Sequence, residues 1–169
     1  MGGNVAGSTW TTGSEPARLF TAYLDFYREK AIAKVASLSP EEQDTSRVPS
    51  VWTPLQLLHH LAHMEQRWFV WGFLAEPVAE PFGDEVDGVW GIPPGRDVDE
   101  MVAMLRRTGE RTRSVLASYP LDTVASVGGR FSADPPSLAW ICFHVLQEYA
   151  RHAGHLDVAV ELAGGQTGE

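Results

Sequence analysis

Apolar residues recur every three or four positions along most of this chain, and four stretches hold that period long enough to predict helices. The first follows Ser14-Glu15-Pro16, where Ser14 offers a cap and Pro16 an early proline. It carries Leu19, Phe20, Tyr23, Leu24, Phe26 and Tyr27 and runs to about Leu38. A polar turn region extends from Ser39-Pro40 to Ser50. Thr53-Pro54 then opens a second helix, LQLLHHLAHMEQRWFVWGFLA, which stops before Pro77. A third runs from about Val98 to Ser118 with Asp97 or Asp99 as cap, and a fourth from about Ser137 to Ala163, where Gly164-Gly165 ends it.

The connections are as telling as the helices. Residues 76 to 97 are rich in Pro and Gly and show neither a helical nor a strand period, so they read as a long loop of the kind that covers a functional site. Phe82 and Trp90 are its anchors. A second irregular connection is TVASVGGRFSADPPS. With no strand alternation, the pattern predicts an all-α four-helix bundle with long connecting loops. Residues 1–13, rich in Gly, Ser and Thr, read as a flexible N-terminus, and residues 14–169 as one domain.

Helical projection then singles out polar residues. On the fourth helix His144, Glu148, His152 and His155 form a ladder at spacings of three and four, so all point roughly one way. The apolar arc of that helix holds Leu138, Cys142, Val145, Tyr149, Ala153, Leu156 and Val160. His152 falls on its shoulder, Glu148 a little further round, and His144 and His155 further toward solvent, as rim or supporting groups. On the second helix the arc centres on Leu57, Leu61, Trp68 and Gly72, with His60 on its shoulder. His59 and His63 fall on the polar side and are expected to be solvated. Glu65 projects from inside the arc, where an unpaired carboxylate is costly.

His60, Glu148 and His152 thus occupy shoulders that two packed helices would bring together. Imidazole and carboxylate are donors that zinc prefers, and three protein ligands with open positions make a catalytic rather than a structural site. Nickel or iron suits the same donors. Cys142 points into the core and reads as a small packed side chain.

Composition narrows the partners. Thirteen Lys plus Arg against 22 Asp plus Glu leaves a formal charge of −9, which argues against nucleic acid, since phosphate binding needs a basic footprint. No apolar run approaches the roughly 18 residues of a membrane span, and the first residues lack a signal-peptide pattern. A single cysteine excludes a disulfide framework and any multi-cysteine zinc site. The expected location is the cytoplasm.

The segments VWTPLQLLHHLAHMEQRWFVWGF and LAWICFHVLQEYARHAGHLDVAVELAGG, in this order and spacing, resemble the DinB-like family of metal-binding four-helix bundles. The branch they resemble most includes mycothiol-dependent maleylpyruvate isomerase and related thiol transferases. The resemblance covers residues 14 to 168. It implies one ligand on the second helix and a pair on the fourth, carried here by His60, Glu148 and His152. It also implies a divalent-metal-dependent S-transferase in which a metal-bound thiolate, plausibly of mycothiol, attacks a small electrophile, with Glu65, His155 or a metal-bound hydroxide taking the thiol proton. A homodimer is implied as well. The isomerase carries a further C-terminal domain whereas this chain ends after the fourth helix, which turns the expectation from maleylpyruvate toward a simpler thiol transfer. Two other readings of the same residues are a metal-dependent hydrolase and a non-catalytic metal-binding stress protein.

Overall fold

The computed structural model describes residues 15–92 and 97–165. Four long helices dominate it: α1 (Pro16–Ala36), α3 (Pro54–Gln66), α4 (Val98–Ser118) and α5 (Leu138–Leu162). A single-turn helix, α2 (Pro40–Gln43), and a two-stranded hairpin, β1 (Glu85–Val86) with β2 (Val89–Trp90), complete the elements. The expected all-α bundle is therefore present. The bundle closes with α1 against α5 and α4, and α3 against α4 and α5.

The caps follow the local chemistry. Thr53 and Gln56 form a reciprocal capping box at the start of α3, and Pro54 sits where its missing N–H costs nothing. Asp97 rather than Asp99 caps α4, accepting from the Glu100 N–H, and Ser137 caps α5. The helix α1 begins after Glu15, which takes the cap position without a side-chain bond; Ser14 lies outside the described residues. The region after Ser39 is not wholly irregular, because Ser39 Oγ accepts from Glu42 N and nucleates the turn α2.

Two elements differ from the sequence expectation. After Gln66 the second long helix widens into a π-helix over Arg67–Phe73, with Leu74 N bonding back to Phe69 O. Six of the seven π-helical residues are buried, so no apolar face marks where the wider ladder begins. The loop after it holds the hairpin, turned by Asp87 and Gly88, both at positive φ. An Asp-Gly pair between Val86 and Val89 is the residue choice a two-residue hairpin turn requires.

Leu24, Leu57, Leu61, Phe69, Leu105, Ile141, Cys142, Val145 and Leu156 are all fully buried in one cluster between the helices. Each large aliphatic side chain removed from water contributes about 1.5–3 kcal/mol. One charged cluster sits among them. Glu65, with no exposed surface, accepts from Arg28 Nη2 at 2.6 Å and Nε at 3.1 Å, from Thr112 Oγ1 at 2.6 Å and from the Tyr149 hydroxyl at 2.5 Å. These bonds knit α1, α3, α4 and α5 at one level. Gly109 makes room for them, because a Cβ there would lie 2.5 Å from the Arg28 guanidinium carbon. Burial alone would lower the Arg28 pKa, but Glu65 holds it above its ordinary value.

Candidate metal centre

The helix α3 contributes His59, His60 and His63 and the first residue of the π-helix contributes Arg67, and the loop that follows folds back over all four. His63 Nδ1 lies 3.1 Å from the Glu80 carbonyl and His59 Nδ1 3.3 Å from the Gly91 carbonyl. Arg67 donates to the Pro81 carbonyl at 2.8 Å and to both Asp84 oxygens at 2.8 and 3.1 Å. Phe82 receives the Arg67 guanidinium over its ring and meets Trp71 edge-on. Trp90 stacks on His60 with ring centroids 4.0 Å apart.

His59 and His63 are accordingly not solvated, as the helical projection expects, but 2% and 4% exposed. The projection treats the helix alone, and here a loop supplies the burial. Their Nε2 atoms face each other at 3.2 Å. Burial, and next the neighbouring His59, push the His63 pKa down to about 4.

Under that cover His60, Glu148 and His152 each present one donor atom, and the three lie within 4.8 Å of one another. The structure therefore assembles a set that could hold a metal ion. His60 comes from α3, and the other two from α5 one turn apart. His60 Nδ1 donates to Asp84 Oδ2 at 2.7 Å, which leaves Nε2 as the lone-pair nitrogen. That Nε2 is buried and has no hydrogen-bond partner among the described residues. An orphaned buried nitrogen is costly unless something fills its lone pair. On α5, His152 Nε2 lies 3.2 Å from Glu148 Oε2, and His152 Nδ1 lies 3.3 Å from His155 Nδ1. Two imidazole nitrogens and one carboxylate oxygen are a fitting donor set for zinc.

Electrostatics agree with that geometry. Burial would raise the Asp84 carboxyl, but the bonds from His60 and Arg67 hold it well below the usual carboxylate range, so it is ionised as a partner for His60. Burial, followed by the nearby His60, lowers the His152 pKa to about 4 and keeps its ring neutral and available as a ligand.

Of the other sequence candidates, His155 remains beside the triad, half-buried and stacked on Trp52 at 5.5 Å. His144 does not join it; its ring packs against Trp68 and Trp140. Glu65 belongs to the Arg28, Thr112 and Tyr149 cluster, where both its oxygens are bonded. Cys142 is fully buried, and burial pushes its thiol up to about 12, so it is a packing residue. Asp84 and Arg67 escaped the sequence reading. The signal for them was the Asp87-Gly88 hairpin, which fixes the loop close enough for Asp84 to reach α3.

A model of the Mycothiol-S-transferase family matches residues 19–165. No curated protein and no solved structure matches the chain. Among the described residues no helix is long and apolar enough to cross a membrane.

Proposed function

The chain belongs to the Mycothiol-S-transferase family, which is DinB-like, and from that premise we propose that it is a divalent-metal-dependent S-transferase joining mycothiol to a small electrophile. His60, Glu148 and His152 are the residues that would hold the ion, zinc before nickel or iron. The observation that carries this reading is the His60 ring. Its Nδ1 is anchored on Asp84, and its buried, partnerless Nε2 converges with the Glu148 and His152 donors.

Two neutral histidines and one carboxylate would leave a divalent site with a formal charge of +1. A cation there supplies Lewis acidity that favours the thiolate, the nucleophilic form, at neutral pH. The protein's own part is to orient. Asp84 fixes the His60 tautomer, and Arg67 fixes Asp84. With a cation on His152 Nε2, the proton of that ring would sit on Nδ1, where His155 Nδ1 at 3.3 Å would accept it, so His155 would hold the second imidazole as Asp84 holds the first. Glu65 is spent in the core, where both its oxygens are bonded, so it does not take the thiol proton. In the transfer the sulfur–carbon bond forms, and where the electrophile carries a leaving group, that group departs with the electron pair of the broken bond.

The test compares chelator-treated and zinc-loaded protein for loss of free mycothiol and appearance of the conjugate by mass, with ester hydrolysis run alongside. Conjugation that depends on zinc is expected. Zinc-loaded protein that neither binds nor conjugates a low-molecular-weight thiol would overturn the reading, and hydrolysis without conjugation would replace it.

A further inference from the structure

A cleft of about 440 Å³ lies between Ser50, Val51, Trp52 and Gln56 on one side and Gly88, Val89 and Trp90 of the hairpin on the other. Its volume is that of a small-molecule site. One of its indoles, Trp90, touches the candidate metal centre directly, and the other, Trp52, reaches it through His155. Trp90 stacks on His60, and Trp52 stacks on His155, which contacts His152. A molecule against Trp90 therefore lies one ring from His60, whereas one against Trp52 is two rings from His152.

The chemistry of the walls is one-sided. None of the lining residues is charged. Ser50 and Gln56 are the polar side chains, and the Gln56 carbonyl oxygen is already committed to the Thr53 N–H in the helix cap. Val51 and Val89 stand 74% and 68% exposed at the mouth. Val51 also holds φ at 57°, a left-handed conformation that a β-branched residue rarely adopts and that tends to persist at functional sites. Such a wall offers flat apolar contact and few hydrogen bonds. A thiol built on a sugar and an inositol would leave many hydroxyls unsatisfied there, whereas a flat apolar group would not.

We infer that this cleft is the electrophile subsite and that it takes neutral, flat, apolar electrophiles, with Trp52, Trp90 and Val89 setting that preference. The inference rests on the transferase reading above. It assigns the second substrate by chemical class: uncharged, with an aromatic or similarly planar body.

Two matched electrophiles separate charge from shape: 1-chloro-2,4-dinitrobenzene, which is neutral, and 4-chloro-3,5-dinitrobenzoate, which carries a carboxylate. Unreactive 1,3-dinitrobenzene and 3,5-dinitrobenzoate allow binding to be read by calorimetry without turnover, on zinc-loaded protein. The neutral member of each pair should bind or react with about tenfold advantage, since one such factor corresponds to the loss of a single modest contact. Trp52→Ala should weaken 1,3-dinitrobenzene binding about tenfold while zinc stoichiometry stays at its wild-type value. Val89→Lys changes an exposed position, so it does not threaten the fold, and it should narrow or reverse the preference against the carboxylate. Equal affinity for the two members overturns the inference. So does a preference that neither variant moves, or displacement of 1,3-dinitrobenzene by mycothiol alone. Binding in the cleft without any thiol transfer overturns the transferase reading and the electrophile assignment with it, whereas transfer that ignores both variants overturns the subsite only.

Discussion

Asp84 Oδ2 accepts a 2.7 Å hydrogen bond from His60 Nδ1, and this contact ties the long loop to the candidate metal centre. It does two things at once. It sets which nitrogen of His60 faces Glu148 and His152, and it anchors the segment whose next element, the hairpin, lays Trp90 over the same ring.

Replacing Asp84 should therefore act on the metal from outside the ligand set. Partners that orient a metal-bound histidine typically change affinity 10- to 100-fold, so Asp84→Asn should weaken zinc by about that factor in a competition titration. His60, Glu148 and His152 remain in place in this variant. Unchanged zinc affinity would mean that the bond to His60 serves only to hold the loop.

The ligand assignment predicts an asymmetric result across four histidines of α3 and α5. His60→Ala and His152→Ala should each abolish stoichiometric metal in protein purified without a histidine tag. His59→Ala and His63→Ala should retain it while lowering the melting temperature, because both rings fill space under the loop. Metal retained in both of the first pair would refute the assignment.

His63 predicts a pH dependence of stability with a definite sign. Its pKa falls to about 4 in the folded protein from an ordinary value of 6.5, so the unfolded chain binds the proton more readily. Its contribution is fully present above 6.5 and is lost as pH falls from there through about 4. At about 1.4 kcal/mol per pKa unit the full effect is on the order of 3 kcal/mol. Urea unfolding across that window should show a steeper decline in the natural protein than in His63→Asn, which removes the titration and keeps a donor for the Glu80 carbonyl. Parallel declines would sink this account.

Glu65 tests the distinction between a core carboxylate and a catalytic one. Glu65→Ala removes the fully buried partner of Arg28, which keeps Asp25 on Nη1, and should cost about 3 kcal/mol of stability, the low end for breaking a buried ion pair. Tyr149→Phe removes one bond to the charge and should cost about 1.5–3 kcal/mol. Zinc stoichiometry should be unchanged in both. A folded Glu65→Gln protein with normal stability and no thiol transfer would instead return Glu65 to the reaction.

The bundle and the triad were legible because both depend on periodicity. Apolar spacing marks the four long helices, and the same projection puts His60, Glu148 and His152 on shoulders that face the neighbouring helix. Where burial comes from outside the helix the projection fails, and His59 and His63 are the example. Glu65 lies between these cases: its place inside the apolar arc signalled a buried carboxylate, but its partners Arg28, Thr112 and Tyr149 come from three other helices and have no sequence spacing in common.

The order of residues along α3 and α5 thus settled which side chains share a face, since one helix turn relates them whatever the rest of the chain does. It could not settle what meets that face. Contacts between Asp84 and His60, Trp90 and His60, or Trp52 and His155 join positions tens of residues apart through irregular chain, whose path depends on the packed whole. The cleft between Trp52 and Trp90 exists only after the hairpin has docked, and so its neutral, aromatic walls are a property of the fold rather than of any single stretch of sequence.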